Sequence, residues 1–117
     1  TTSASAASRL DLGGASWARV DGVALAPLPT DVMAGDLVAP LNLLADGTLP
    51  STTGAFVWSG ADTPDLVGAI GDTCTDWTGP AGSGVLGRPS RTSASWFSTG
   101  GNTTNCSQAV NFYCFED

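Results

Sequence analysis

The sequence contains no histidine and no lysine, and only one methionine and one glutamate. Without histidine there is no Ser-His or Cys-His pair and no imidazole metal site. Without lysine there is no Schiff base, no Ser-Lys pair and no phosphate-cradling P-loop. Charge is scarce as well: four arginines stand against eleven acidic residues, for a net charge of -7. Phosphate backbones are gripped by clustered Lys and Arg, so this composition excludes a nucleic-acid binder, and anionic lipid surfaces would repel it. No apolar run approaches the length of a bilayer span, and residues 1 to 9 are too small and polar for a signal peptide. An export signal, if one is used, would lie outside this chain.

What remains is 42% hydrophobic and only 13% charged, which is a globular and not a disordered composition. Fifteen glycines and seven prolines chop the chain into short pieces. An all-β or loop-rich fold is therefore favoured over a helical bundle, within one domain spanning 1–117. Residues 1–8 read as a flexible leader or the tail of a helix. Trp17 to Leu25 reads as a hairpin whose two-residue turn is Asp21-Gly22, both at positive φ. After Pro27 and Pro29, Thr30 is placed to cap a short helix over Asp31 to Leu37, which Gly35 keeps short. Leu37 to Leu44, broken at Pro40, is expected as an edge strand or packed loop, followed by a second tight turn at Asp46-Gly47. Ala55 to Ser59 carries the signal of a central strand.

Glycine and proline recur from Gly60 to Pro89, so this stretch is expected as a long irregular excursion, with Gly82 and Gly84 as loop residues. Ser93 to Ser98 alternates like a strand, Gly100-Gly101-Asn102 turns, and Ala109 to Phe115 is expected to be the closing strand. Loops of such length usually carry function.

The surviving catalytic arrangement is a carboxylate pair from Asp62, Asp65, Asp72 and Asp76, the acid and base of a glycosidase. Solvated Asx turns explain the same aspartates without catalysis. The same residues with loop carbonyls suggest a weak calcium site, with Asp72 and Asp76 as candidate ligands, although EF-hand spacing is missing. Trp58 and Trp77 read as core. Trp96, flanked by serines and followed by a glycine turn, is a candidate stacking platform. Arg88 and Arg91 flank Pro89 and are candidates for a partner's carboxylate or sulfate. Three cysteines, Cys74, Cys106 and Cys114, make a poor zinc set without histidine or a CxxC pair. A disulfide is the better reading, and the odd count leaves one thiol free or paired outside the chain.

Phe56-Val-Trp-Ser-Gly60, Asp72-Thr-Cys-Thr-Asp-Trp-Thr78, Ser95-Trp96, Cys106 and Phe112-Tyr-Cys-Phe-Glu116 together resemble a bacterial family with an endostatin-like, C-type-lectin-like fold. Its best-known members are the leptospiral endostatin-like surface proteins. The resemblance extends upstream through Arg19-Val-Asp-Gly22 and Asp36-Leu-Val-Ala-Pro-Leu-Asn42. It implies an α+β, loop-rich fold of mostly short antiparallel strands with little helix, and a Cys74–Cys106 disulfide. The family's last cysteine pairs with one in an N-terminal helix. No cysteine precedes Cys74 here, so either an N-terminal family segment is missing or Cys114 is unpaired or pairs with a cysteine outside this chain.

The expectation for function is a non-catalytic, secreted or cell-surface recognition or adhesion module that binds an extracellular protein or carbohydrate. Loops 60–91 and 98–105 would form its contact surface, with Asp62, Asp65, Arg88, Arg91, Trp96 and Asn102 as ligand-binding residues. No cofactor is expected, calcium being the weak exception. The alternative is a structural cap or assembly domain of a larger surface or fibre protein, and a carboxylate glycosidase ranks last.

Overall fold

The computed structural model describes residues 1–51 and 55–115. They form a loop-rich α+β arrangement around a four-stranded mixed sheet. Its strands are β1 (Val57–Trp58), β2 (Ser83–Gly87), β3 (Thr103–Asn105) and β4 (Asn111–Phe112). Their order is β3-β2-β1-β4, so β1 and β2 lie inside and β3 and β4 form the edges. β1 runs antiparallel to β2, with Val57 opposite Gly87, and β2 runs antiparallel to β3, with Gly84 opposite Thr104. β4 runs parallel to β1, with Val57 beside Asn111. Two of the three pairings are antiparallel, in keeping with the expected mostly antiparallel strands, and the closing strand is two residues long instead of seven.

The Ala55–Ser59 strand is present and central, as its β-branched and aromatic residues dictate, though it contracts to Val57–Trp58. Its antiparallel partner β2 lies inside the stretch expected to be irregular. Gly84, expected as a loop residue, and Gly87 are what allow it. A Cβ on Gly84 would stand 2.7 Å from the Trp58 ring and 3.0 Å from Cys74 Sγ, and one on Gly87 would stand 2.2 Å from the Trp96 carbonyl oxygen. Glycine in a strand marks close approach, and here both sheet neighbours and core press on the backbone.

Ser93–Ser98 is corrected in the other direction. It holds a 3-10 turn at Ala94–Trp96, and Trp96 and the adjacent Phe97 are both buried. A strand would send neighbouring side chains to opposite faces, so two successive buried aromatics fit the turn.

The first α-helix, α1, spans Pro29–Ala34. Pro29 occupies its first position, where no backbone donor is needed. Asp31, not Thr30, closes the N-terminal end: its carboxylate accepts the Leu28 N–H at 3.1 Å. Gly35 ends the helix at φ 89°, three residues short of the expected Leu37. Leu37–Leu44 follows as a packed loop, with Leu37 N–H donating to the Thr92 carbonyl.

The Trp17–Leu25 hairpin forms, with Leu25 N–H donating to Trp17 O and Arg19 N–H to Val23 O, both at 2.8 Å. Its turn has three residues instead of two. Gly22 alone takes positive φ, at 83°, and its N–H bonds Arg19 O, the pattern of a turn followed by a left-handed glycine.

Two separate clusters form the core. The larger gathers Trp17, Leu25, Val32, Leu37, Trp96 and Phe97, with Tyr113 and Phe115 packed against it. The smaller gathers Trp58, Cys74 and Leu86, with Trp77, Cys106 and Val110 against it. Trp58 is core as expected, and Trp77 is partly buried on it.

Candidate functional site

The Cys74–Cys106 disulfide is formed, with the two Cα atoms 5.6 Å apart. Such a bond persists in oxidising, extracellular-type compartments. It anchors an unusual piece of backbone. Cys74, Thr75, Asp76 and Trp77 all lie in the left-handed region, at φ 51°, 56°, 59° and 63°. For L-residues that conformation costs roughly 1–2 kcal/mol each, and β-branched threonine and bulky tryptophan are poor occupants.

The surrounding body holds the turn in place. Thr73 is fully buried; its hydroxyl oxygen accepts the Asp76 N–H at 3.2 Å and its carbonyl accepts the Trp77 N–H at 2.7 Å. Thr73 Oγ1 in turn donates to Ala69 O. The reversed turn sends Trp77 inward, edge-on to Trp58 at 5.9 Å and to Phe112 at 5.8 Å. Asp76 is sent outward, where its carboxylate accepts the Thr2 N–H and the Thr2 hydroxyl, each at 2.6 Å. Those donors, the hydroxyl first, hold Asp76 below the usual carboxylate range. A glycosidase acid needs the opposite shift.

The expected ligand residues make mostly local contacts. Trp96 is a correction: at 1% exposure it is the best-buried large side chain of the core, edge-on to Phe97 and Tyr113, and no ligand reaches it. Its indole Nε1 has no partner among the described residues. Tyr113 donates its hydroxyl to the Trp96 carbonyl, and burial pushes its phenol up. Asp62 accepts the Ser98 hydroxyl at 3.1 Å, and Asp65 accepts that of Thr63. Asn102 donates to Thr99 O at 2.7 Å. Arg88 lies 5.2 Å over the Phe56 ring, and Arg91 closes a turn by donating its N–H to the Arg88 carbonyl. Asp62, Asp65, Arg88, Arg91 and Asn102 are exposed. Among the described residues, no three carboxylate or sulfur side chains gather in a metal-holding group.

A broad concavity lies elsewhere. A groove of about 800 Å³ opens between the hairpin, the Leu41–Ala45 loop and the chain following β4, walled by Trp17, Leu41, Leu43, Val57, Tyr113 and Phe115. Trp17 meets Phe115 edge-on at 5.5 Å, which stiffens that wall. At the rim, Arg19 is pinned: it pairs with Asp21 and donates from Nη1 to Pro40 O and Asn42 Oδ1, each at 3.2 Å. The Cys114 thiol is free and exposed on the same border. Volume and aromatic lining match those of ligand sites. Sequence reading missed this groove because its walls come from three distant segments, each apolar enough to pass for core. Arg19-Val-Asp-Gly was noticed as a motif, but nothing in it announces a rim.

Among the described residues no helix is long and apolar enough to cross a membrane. No protein-family model, curated protein or solved structure matches the chain.

Proposed function

We propose that this chain is a non-catalytic extracellular recognition or adhesion module with an endostatin-like, C-type-lectin-like architecture. The observation that carries the reading is the 800 Å³ aromatic groove, a preformed apolar concavity with a pinned polar rim at Arg19 and Asn42. Lack of histidine and lysine supports a binding role over a chemical one, and the Cys74–Cys106 bond supports an oxidising, secreted or surface setting. The exposed Asp62, Asp65, Arg88, Arg91 and Asn102 supply a second, polar contact surface on loops 60–91 and 98–105. The ligand is a protein or carbohydrate, and calcium is not required.

Arrays of glycans and extracellular-matrix proteins test the proposal. We expect discrete hits that Leu43→Asp in the groove wall abolishes and Arg91→Ala on the far loop reduces only where the ligand is anionic. A blank array removes the recognition reading, whereas hits indifferent to Leu43→Asp move the site to the loops.

A second reading, assembly into a larger surface structure, is favoured by the β4 edge. Phe112 there is 67% exposed and the nearby Cys114 thiol is open to a partner cysteine. Mass measurement under non-reducing conditions separates the two: a disulfide-linked species lost in Cys114→Ser supports assembly, and a monomer with one titratable thiol rejects it.

A further inference from the structure

Residues 1–9 contribute nothing to either core cluster, yet they are held on the body by directed bonds. Gly68 N–H donates to Thr1 O at 2.9 Å, and Ala7 N–H donates to Pro64 O at 2.8 Å. Between these, the Thr2 N–H and hydroxyl both fall on the carboxylate of Asp76, 74 positions away. A sequence of Thr, Ser and Ala cannot build its own core, so its order comes from the surface it lies on. That surface is made without it. Asp76 is aimed outward by the left-handed turn, which the Cys74–Cys106 bond and the buried Thr73 hydroxyl fix from the body side. Strain held by a scaffold, at a residue whose side chain then grips another segment, is the pattern of a preorganised binding site.

We infer that the 64–76 face is a peptide-binding site that residues 1–7 occupy in cis. It lies apart from the groove and does not rest on the proposal made for it. Its ligand class follows from its contacts. The peptide turns over four residues, with the hydroxyl of the first meeting the N–H and carbonyl of the fourth, carries at its second position a Thr or Ser whose N–H and Oγ–H both bond Asp76, and places the preceding carbonyl on Gly68. The intramolecular occupant fits incompletely. A hollow of about 160 Å³ remains between Ala4, Ser5 and Ala6 on one side and Ala61, Leu66 and Phe97 on the other. A ligand with a larger apolar side chain two residues after the hydroxyl residue fills that hollow and displaces the tethered segment, which therefore acts as an autoinhibitory strap. Tethering raises the strap's local concentration to roughly the millimolar range, so a competitor of equal fit is needed at that level.

Amide NMR spectra of the full, isotope-labelled chain provide the test, with three unlabelled peptides as probes: Thr-Thr-Ser-Ala-Ser-Ala-Ala-Ser-Arg, its Thr2→Val form and its Ala4→Leu form. We expect the parent peptide to move the Thr2 and Ala7 amides to the positions of an unbound segment at roughly millimolar concentration. The leucine form should do so at about tenfold lower concentration, from burial of one aliphatic side chain. The valine form, missing one charge-assisted bond, should need about tenfold more. In the Asp76→Ala chain, which has no side-chain acceptor, the Thr2 amide should exchange freely while the amides of β1 and β2 stay protected. The inference is overturned if none of the peptides moves Thr2, if the valine form matches the parent, if the leucine form gains nothing, or if Thr2 stays protected in Asp76→Ala.

Discussion

The two core clusters solve one problem in different ways. The larger, around Trp96, is held by aromatic edges: Phe97 and Tyr113 meet Trp96 at 5.2 and 5.1 Å, and Trp17 meets Phe115 at 5.5 Å. No covalent bond closes it, and its outer wall opens as the groove. The smaller has three buried members among the described residues, too few to fix a strained turn by packing alone, and a disulfide supplies the constraint. In a chain of this size a cluster rich in aromatic area can leave one flank open to a ligand, whereas a poor one must be stapled shut. The groove and the Asp76 clamp then draw on independent sources of rigidity.

The largest effect that separates the two is truncation of Trp96. Trp96→Ala removes the centre of the unstapled cluster and should lower unfolding free energy by about 3–5 kcal/mol in a urea titration. Trp96→Phe should cost less, since it keeps most of the ring contacts and also deletes an indole N–H that has no partner among the described residues. Equal losses for the two variants would mean that the ring edges do not hold this region.

The paired Cys74→Ser and Cys106→Ser replacement comes next. Closing a loop across 32 positions is worth about 3–4 kcal/mol by chain entropy. Part of that loss is offset, because Cys74 to Trp77 regain ordinary dihedrals once released. The double variant should therefore lose less than Trp96→Ala, and Trp77 fluorescence should redden as its ring leaves Trp58. A loss exceeding that of Trp96→Ala would reverse the ranking of the two regions. Smaller again is Gly84→Ala, whose methyl group would meet the Trp58 ring and the Cys74 sulfur; overpacking of this kind costs about 1–3 kcal/mol.

Much of the scaffold was legible in the residues. The apolar, β-branched stretch about Val57 and Trp58 announced the central strand, Gly35 announced that α1 is short, and the resemblance around Cys74 and Cys106 implied their pairing. What failed did so for identifiable reasons. Gly84 and Gly87 are strand glycines for tertiary reasons, a tryptophan ring and two carbonyl oxygens pressed against them, and no local pattern carries that information. Trp96 sits between serine and phenylalanine, which mimics alternation; only its 3-10 turn shows both rings going inward. The left-handed run at Cys74–Trp77 is opposed by the local preferences of its cysteine, threonine and tryptophan, so the cause lies in what surrounds it. The candidate sites were the least legible, because the groove and the Asp76 clamp are each assembled from segments far apart in the chain.

The smallest predicted effect distinguishes the regions by pH. In the stapled corner, the Thr2 hydroxyl and N–H depress the folded-state pKa of Asp76. A lowered acid contributes fully above its unfolded value of about 3.9 and loses its contribution as pH falls through the folded value. In the aromatic cluster, burial raises the Tyr113 phenol. Its unfolded form ionises near pH 10 while the folded form stays neutral, so stability declines as pH climbs past that point. Acid should thus free Thr2 while Tyr113 remains in place, and alkali should weaken the Trp96 cluster while Asp76 keeps its grip. Amide exchange at Thr2 and near-ultraviolet circular dichroism of the aromatics, followed from pH 2 to pH 11, read the two transitions separately. Thr2→Val should shift the acid transition upward and leave the alkaline one alone, because it removes a hydrogen bond that touches nothing in the larger cluster. Movement of both transitions together would show that the staple and the aromatic edges belong to one cooperative unit after all.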